Sequence, residues 1–226
     1  MSVRVGVVQF PGTNCELDVV WAVEQLGALA EICWHGDATL NGVDALVVPG
    51  GFAHGDYLRT GALARFSPVM TAVTDFAAAG GPVVGICNGF QVLTEAQLLP
   101  GALQRNASLK FLCQMVELQV ETTSTVLTNA CALGRRLRVP INHFEGNYVC
   151  DAPTLAQLRA EDRVVVRYVE NPNGSLDDIA GICSVGRNVV GLMPHPERAS
   201  DPMLGSSDGM VLLQSLLAAA GARVTA

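Results

Sequence analysis

The chain has 226 residues, enough for one domain with a sizeable core over 1–226, and no repeat, low-complexity tract or linker divides it. Half of it is apolar, 15% is charged and the net charge is −7, so it lacks the basic runs that neutralise phosphates, and no nucleic-acid partner is expected. No segment approaches the roughly 18 uninterrupted apolar residues of a membrane span, and the opening apolar run is too short for a secretory leader. The sequence reads as a reduced, soluble, cytoplasmic protein with no membrane partner.

Residues 3–10 (VRVGVVQF) are a β-branched run stopped by Pro11-Gly12, the pattern of a buried strand. Thr13 and Glu16 fit a capping box, and Leu17, Val20, Trp21 and Glu24 follow at helical spacing until Gly27, which predicts a helix. The alternation then repeats. A strand over 28–34 is followed by another over 45–48 that ends in Pro49-Gly50-Gly51, then by an alanine-rich helix over 62–79. A strand over 83–86 leads into a helix over 88–97. Continuous apolar strands between helices predict a parallel sheet covered on both faces. Longer β-like segments over 110–126 and 163–193 add strands to that sheet or to a small flanking one. The C-terminal SDGMVLLQSLLAAAG reads as a helix capped by Asp208, with Leu212, Leu213, Leu216 and Leu217 on one face. The expected fold class is α/β: a single-domain, open, mostly parallel sheet with helices on both faces.

In such a sheet ligands sit outside the carboxyl ends of the strands. Three unusual sequences end strands here, PGGFAHGD, GICNGF and MPHPER, and the fold class requires them to converge.

Cys87 stands between Gly85 and Gly89 at a strand-to-helix junction. A cysteine there is either a small packed hydrophobe or the nucleophile of an elbow, where glycines relieve the crowding of a sharp turn and the helix amides favour thiolate. The elbow reading needs a base. Prolines flank His195, and Glu197 lies two residues on; in an extended segment both side chains share a side, with Cα atoms about 7 Å apart. That arrangement offers the base and orienter of a triad. His35 reads as a solvated loop residue, and His54 and His143 as turn or contact residues. The turn at Gly50 and Gly51 is either an ordinary tight turn or half of an oxyanion hole, with the Asn88 amide as the other half, where a donor contributes about 3 kcal/mol. Seven cysteines without a C-x-x-C pair argue against a zinc knuckle, a dithiol or a disulfide framework, and no metal is expected. Neither phosphate-loop fingerprint occurs, so no nucleotide is expected on this chain.

Together GTNCE, PGGFAHGDYLR, GICNGFQ, RVPINHFEGNY and GLMPHPER resemble the class I, triad-type glutamine amidotransferases, a flavodoxin-like fold, and in particular the glutaminase subunits of phosphoribosylformylglycinamidine synthase. The resemblance spans nearly the whole chain; His54 departs from the serine or tyrosine of the family pattern. It implies Cys87 as nucleophile, His195 as base, Glu197 as orienter, and Gly51 and Asn88 as oxyanion donors. It further implies Gln91 as a glutamine-pocket residue with Asn106, Ser108 and Phe111, and His143 with Glu145 as contacts to a synthetase. The implied partners are a separate large synthetase, which uses ATP and magnesium, and a small accessory subunit; the strand that opens at Val3 fits a free-standing subunit. A peptidase or deglycase on the same fold, a non-catalytic binding module and a sister amidotransferase serving another synthetase are the competing readings.

Overall fold

The computed structural model describes residues 2–224. In chain order it contains β1 (Arg4–Gln9), α1 (Glu16–Gln25), β2 (Leu29–Trp34), β3 (Ala45–Val48), α2 (Val69–Ala78), β4 (Val83–Ile86) and α3 (Asn88–Glu95). There follow β5 (Ala102–Arg105), β6 (Leu112–Val120), β7 (Arg136–His143), β8 (Glu145–Val149) and α4 (Ala152–Ala160). The last elements are β9 (Val164–Tyr168), β10 (Ile179–Cys183), β11 (Val189–Leu192) and α5 (Met210–Val224).

Nine of these strands form one sheet in the order β2-β1-β3-β4-β11-β10-β9-β6-β7. From β2 to β11 the neighbours run parallel, the winding of a flavodoxin-like sheet. From β11 to β7 they run antiparallel. Every residue of β3, β4 and β11 is buried. Successive strand residues point to opposite faces, so the sheet is covered on both. Each fully buried valine, leucine or isoleucine there contributes about 1.5–3 kcal/mol. Helix α1 packs on β1 and β2 and against α5, and α3 lies on β3, β4 and β11. The two β-rich stretches of the sequence supply β6, β9, β10 and β11 to the main sheet, while β5 and β8 pair as a separate ribbon. No helix among the described residues is long and apolar enough to cross a membrane.

Three local expectations are corrected. Thr13 and Glu16 do not form a capping box: Thr13 Oγ1 accepts from Phe10 N at 2.9 Å, closing the turn after β1, and Glu16 Oε1 accepts from Gln9 Nε2 at 2.8 Å. The alanine-rich helix is broken, because Pro68 disfavours a helical residue before it and Ser67 is extended (φ −64°, ψ 142°). Only a short 3-10 turn, Ala64–Phe66, precedes the break. Asp208 does not cap its own helix; it accepts from Arg138 N at 2.9 Å and ties the start of α5 to β7.

Candidate active site

β3, β4 and β11 are neighbours running the same way, so their carboxyl ends, and the three odd sequences that follow them, meet. Cys87 N donates to Leu192 O at 2.8 Å, pinning the turn after β4 to the strand that leads into MPHPER. At that turn Cys87 has φ 51° and ψ −107°, outside the regions open to an ordinary L-residue. Such backbone holds on the order of 1–3 kcal/mol of strain and persists only where its surroundings enforce it. A Cβ on Gly85 would lie 2.7 Å from the Gly89 carbonyl, the crowding across the elbow that the sequence predicts, whereas a Cβ on Gly89 would run into the Val48 carbonyl as α3 crosses β3. The bland reading of Cys87 as a packed hydrophobe explains neither the strain nor the paired glycines.

His195 Nδ1 lies 2.6 Å from Glu197 Oε1, and both residues are 1% exposed. The backbone that joins them is not extended: Pro196–Arg198 is a turn of 3-10 helix, and this turn folds the carboxylate back under the ring. His195 and Cys87 meet across Gly50. A Cβ built there would lie 2.7 Å from His195 Cε1, 3.5 Å from Cys87 Cβ and 3.1 Å from Cys15 Sγ, so imidazole and both cysteines crowd one bare α-carbon. His195 Nε2 is buried without a hydrogen-bond partner among the described residues. Burial alone would push the imidazole down. The Glu197 carboxylate overrides it, aided by the sulfurs of Cys87 and Cys15, and holds His195 well above its usual value, so the ring carries its proton in the resting site.

Cys87, His195 and Cys15 open on a cavity of about 670 Å³, large enough for an amino acid. Cys87, His195, Gly51, Gln91, His143 and Glu145 are among its lining residues. Asn88 begins α3, where a backbone amide has no intrahelical acceptor, and its side chain is engaged with Ala53 N, Asp56 and Gln91. Gln91 Nε2 donates to Glu145 O at 2.5 Å, which ties α3 to β8 across the cavity floor. Asn106, Ser108 and Phe111 are not brought to this cavity: Ser108 and Phe111 are exposed, and Asn106 is fully buried behind His143.

His143 is not a surface residue either; it is 4% exposed. Asn106 Nδ2 donates to Lys110 O and to His143 O, each at 2.9 Å, which leaves its Oδ1 to accept from His143 Nδ1 at 3.0 Å. The tautomer is thereby set, with Nε2 bare and without a partner among the described residues. Burial, then the charge on His195, lowers His143 to about 4, so it is neutral at pH 7. Glu145 is half-buried, accepts from Thr60 Oγ1 at 3.2 Å and lies 3.6 Å from Arg105 Nε. His54 and His35 lie outside the cavity lining, sharing Ser67 Oγ at 3.1 and 3.3 Å, so His35 is no free loop residue and the His54 departure stays clear of the reacting groups.

The sequence reading did not single out three lining groups. Cys15 Sγ accepts from Arg198 at 3.2 Å, and Arg198 Nε in turn donates to Asp18 at 3.0 Å. Asp56 is raised to about 6, chiefly by burial, against the lowering effect of the Asn88 amide. Their signals were the cysteine in GTNCE, the arginine directly after the triad carboxylate and the acid in the glycine loop.

A family profile for the CobB/CobQ-like glutamine amidotransferase domain matches residues 2–208. Among curated proteins, the phosphoribosylformylglycinamidine synthase subunit PurQ of Rubrobacter xylanophilus is 60% identical over 96% of this chain and 99% of its own length. The PurQ subunit of Koribacter versatilis is 53% identical over 97% of this chain and 100% of its own. Among solved structures, a chain of PurLQS from Thermotoga maritima superposes with a TM-score of 0.89 at 42% identity, covering 96% of this chain and 99% of that one. A GMP synthase chain from Thermoplasma acidophilum shares the fold alone, with a TM-score of 0.64 at 14% identity over 100% and 97% of the two chains. A buried thiol at the end of β4 and a buried imidazole and carboxylate after β11 meet beside the glycines that end β3, on a chain alignable almost end to end with these relatives: it belongs to the glutamine amidotransferase family, beside the PurQ subunits of phosphoribosylformylglycinamidine synthase.

Proposed function

We infer that the chain is the glutaminase subunit of a phosphoribosylformylglycinamidine synthase. It hydrolyses glutamine to glutamate and ammonia and hands the ammonia to a synthetase, which uses it to convert formylglycinamide ribonucleotide to formylglycinamidine ribonucleotide in purine biosynthesis. The single observation that carries the chemistry is the 2.6 Å His195–Glu197 pair packed across Gly50 from the strained elbow of Cys87.

Cys87 attacks the side-chain carboxamide as thiolate, its proton resting on His195. The developing oxyanion is met by the backbone amides of Gly51 and Asn88. Protonated His195 gives its proton to the departing nitrogen, and a glutamyl thioester remains. The imidazole, now neutral, takes a proton from water, and the hydroxide releases glutamate. Glu197 fixes the ring and its charge throughout. Gln91 fits the pocket floor, and His143 with Glu145 fit the wall through which the glutaminase senses its partner. Asn106 acts behind that wall through His143, while Ser108 and Phe111 face outward. The partners are a large synthetase and a small accessory subunit, as in the solved complex named for all three. ATP and magnesium belong to the synthetase, this chain holds no cofactor, and the assembly works in the cytoplasm.

The test is amidation of formylglycinamide ribonucleotide by the assembled complex, fed with glutamine or with ammonia. Cys87→Ser is expected to lower the glutamine-fed rate by at least about 10⁴-fold and leave the ammonia-fed rate intact. An electrophilic glutamine analogue should add mass only to the peptide that contains Cys87. Equal loss of both rates, or labelling elsewhere, overturns the assignment.

A further inference from the structure

Cys15 neither attacks nor passes a proton in the chemistry above, yet it is only 3% exposed and lines the cavity beside Cys87 and His195. Its sulfur, a ring nitrogen of His195 and a carboxylate oxygen of Glu197 lie within 4.8 Å of one another, all on buried residues. Two polar atoms of this group, His195 Nε2 and Glu197 Oε2, are buried without hydrogen-bond partners among the described residues.

We propose that this trio is an inhibitory site for one zinc ion or a similar thiophilic divalent cation. Thiolate, imidazole and carboxylate are the donors that such ions select, and a tetrahedral ion with bonds of about 2.0–2.3 Å holds its ligand atoms roughly 3.3–3.8 Å apart. The trio reaches that spacing when the 2.6 Å His195–Glu197 pair opens by about 1 Å and the sulfur closes in by a similar amount. Charge favours it as well. A divalent ion with one thiolate and one carboxylate is neutral, which a water-poor site requires, and Arg198 beside the sulfur is already balanced by Asp18. The cavity that admits glutamine reaches Cys15 and His195 and gives the ion its path.

Occupation silences His195, because an ion shared with Glu197 must sit at Nδ1, where it displaces the proton held by the carboxylate and breaks the 2.6 Å pair that orients the ring. The donors bind the ion in their deprotonated forms, so affinity rises with pH. Magnesium, a hard cation that requires an octahedral oxygen shell, is rejected. The synthetase can therefore work in magnesium while traces of zinc throttle ammonia supply.

Binding is measured on the metal-free full chain by equilibrium dialysis with zinc and by absorbance with cobalt as the probe. One ion per chain is expected, with a thiolate-to-cobalt charge-transfer band that persists in Cys87→Ser and Cys113→Ser. Cys15→Ser and Cys15→Ala should lose the band and bind zinc at least about tenfold more weakly. Zinc should also slow alkylation of Cys15 in the unsubstituted chain, a readout that depends on no variant's folding. A band that survives in Cys15→Ser, a band lost in Cys87→Ser, or alkylation of Cys15 at an unchanged rate overturns the site. In the assembled complex zinc should abolish the glutamine-fed rate, spare the ammonia-fed rate and be reversed by chelation, and added magnesium should inhibit neither rate. Inhibition, unlike binding, rests on the glutaminase reading: tight Cys15-dependent binding without inhibition leaves the metal site standing and places the fault in that reading.

Discussion

Replacing Gly50 by alanine perturbs the contact that aligns the site while leaving every reacting group in place. The added Cβ falls 2.7 Å from His195 Cε1 and 3.1 Å from Cys15 Sγ. Carbon atoms settle at about 3.5–4.0 Å, so either the imidazole retreats by about 1 Å or the end of β3 gives way by as much. The ring, 1% exposed and held on its far side by Glu197, has little room to move. Overpacking of this size costs about 1–3 kcal/mol, and in a chain of this length each kcal/mol lowers Tm by roughly 2–4 °C. Catalysis suffers more, because a misplacement of about 1 Å can cost 100-fold. The assay is the ratio of glutamine-fed to ammonia-fed amidation by the complex, with Tm measured on the same preparation. A ratio that falls about 100-fold with the ammonia-fed rate intact is expected. A folded Gly50→Ala variant whose ratio stays within about threefold of the parent would refute the claim that His195 and Cys87 are aligned across this glycine.

Glu197→Gln removes the orienter's charge and should lower the glutamine-fed rate by about 10³–10⁴-fold. It should also change how stability depends on pH. His195 is raised in the folded state, so the stabilisation from its pairing is fully present below the usual histidine value of 6.5 and is lost as pH rises through the higher folded value. The stability gap between parent and variant, read from urea midpoints, should therefore narrow as pH climbs above 6.5. His143 behaves oppositely. Its folded value is lowered to about 4, so its contribution is present above 6.5 and lost as pH falls through 4. His143→Asn should flatten the acid side of the parent's stability profile across that interval, and an unchanged acid limb would show that the ring is not held neutral.

The parallel half of the fold was legible because β3, β4 and β11 are unbroken apolar runs bounded by glycine and proline, and such runs have few alternatives to a strand buried on both faces. The elbow was legible because two glycines two residues either side of a cysteine have a steric meaning that needs no distant partner. Glu197 was placed correctly on the wrong backbone: alternation along a strand predicted the contact, and a 3-10 turn makes it. The break at Pro68 was visible as a local rule, but alanine content around it outweighed a single proline. What stayed hidden depends on contacts distant in sequence. Cys15 matters because Gly50 lacks a side chain, and His143 points inward because Asn106, 37 residues away, takes its Nδ1 proton.

The two histidines of the cavity differ in charge. Protonated His195 is one reason that His143 is neutral, and burial of His143 leaves no competing cation to repel the proton from His195. One wall thus offers a proton and another a bare nitrogen lone pair, within a single cavity. The departing nitrogen of the carboxamide needs the first, since amide cleavage stalls unless the leaving group is protonated. Two identical charge states could not supply both. Two imidazolium rings would repel the proton out of the site, and two neutral rings would leave the thiol with its hydrogen and the leaving group without one. The asymmetry comes from what surrounds the rings: the Glu197 carboxylate overrides the burial of His195, whereas burial and the neighbouring charge keep His143 neutral, so Glu197→Gln should degrade catalysis more than its small change in volume would imply.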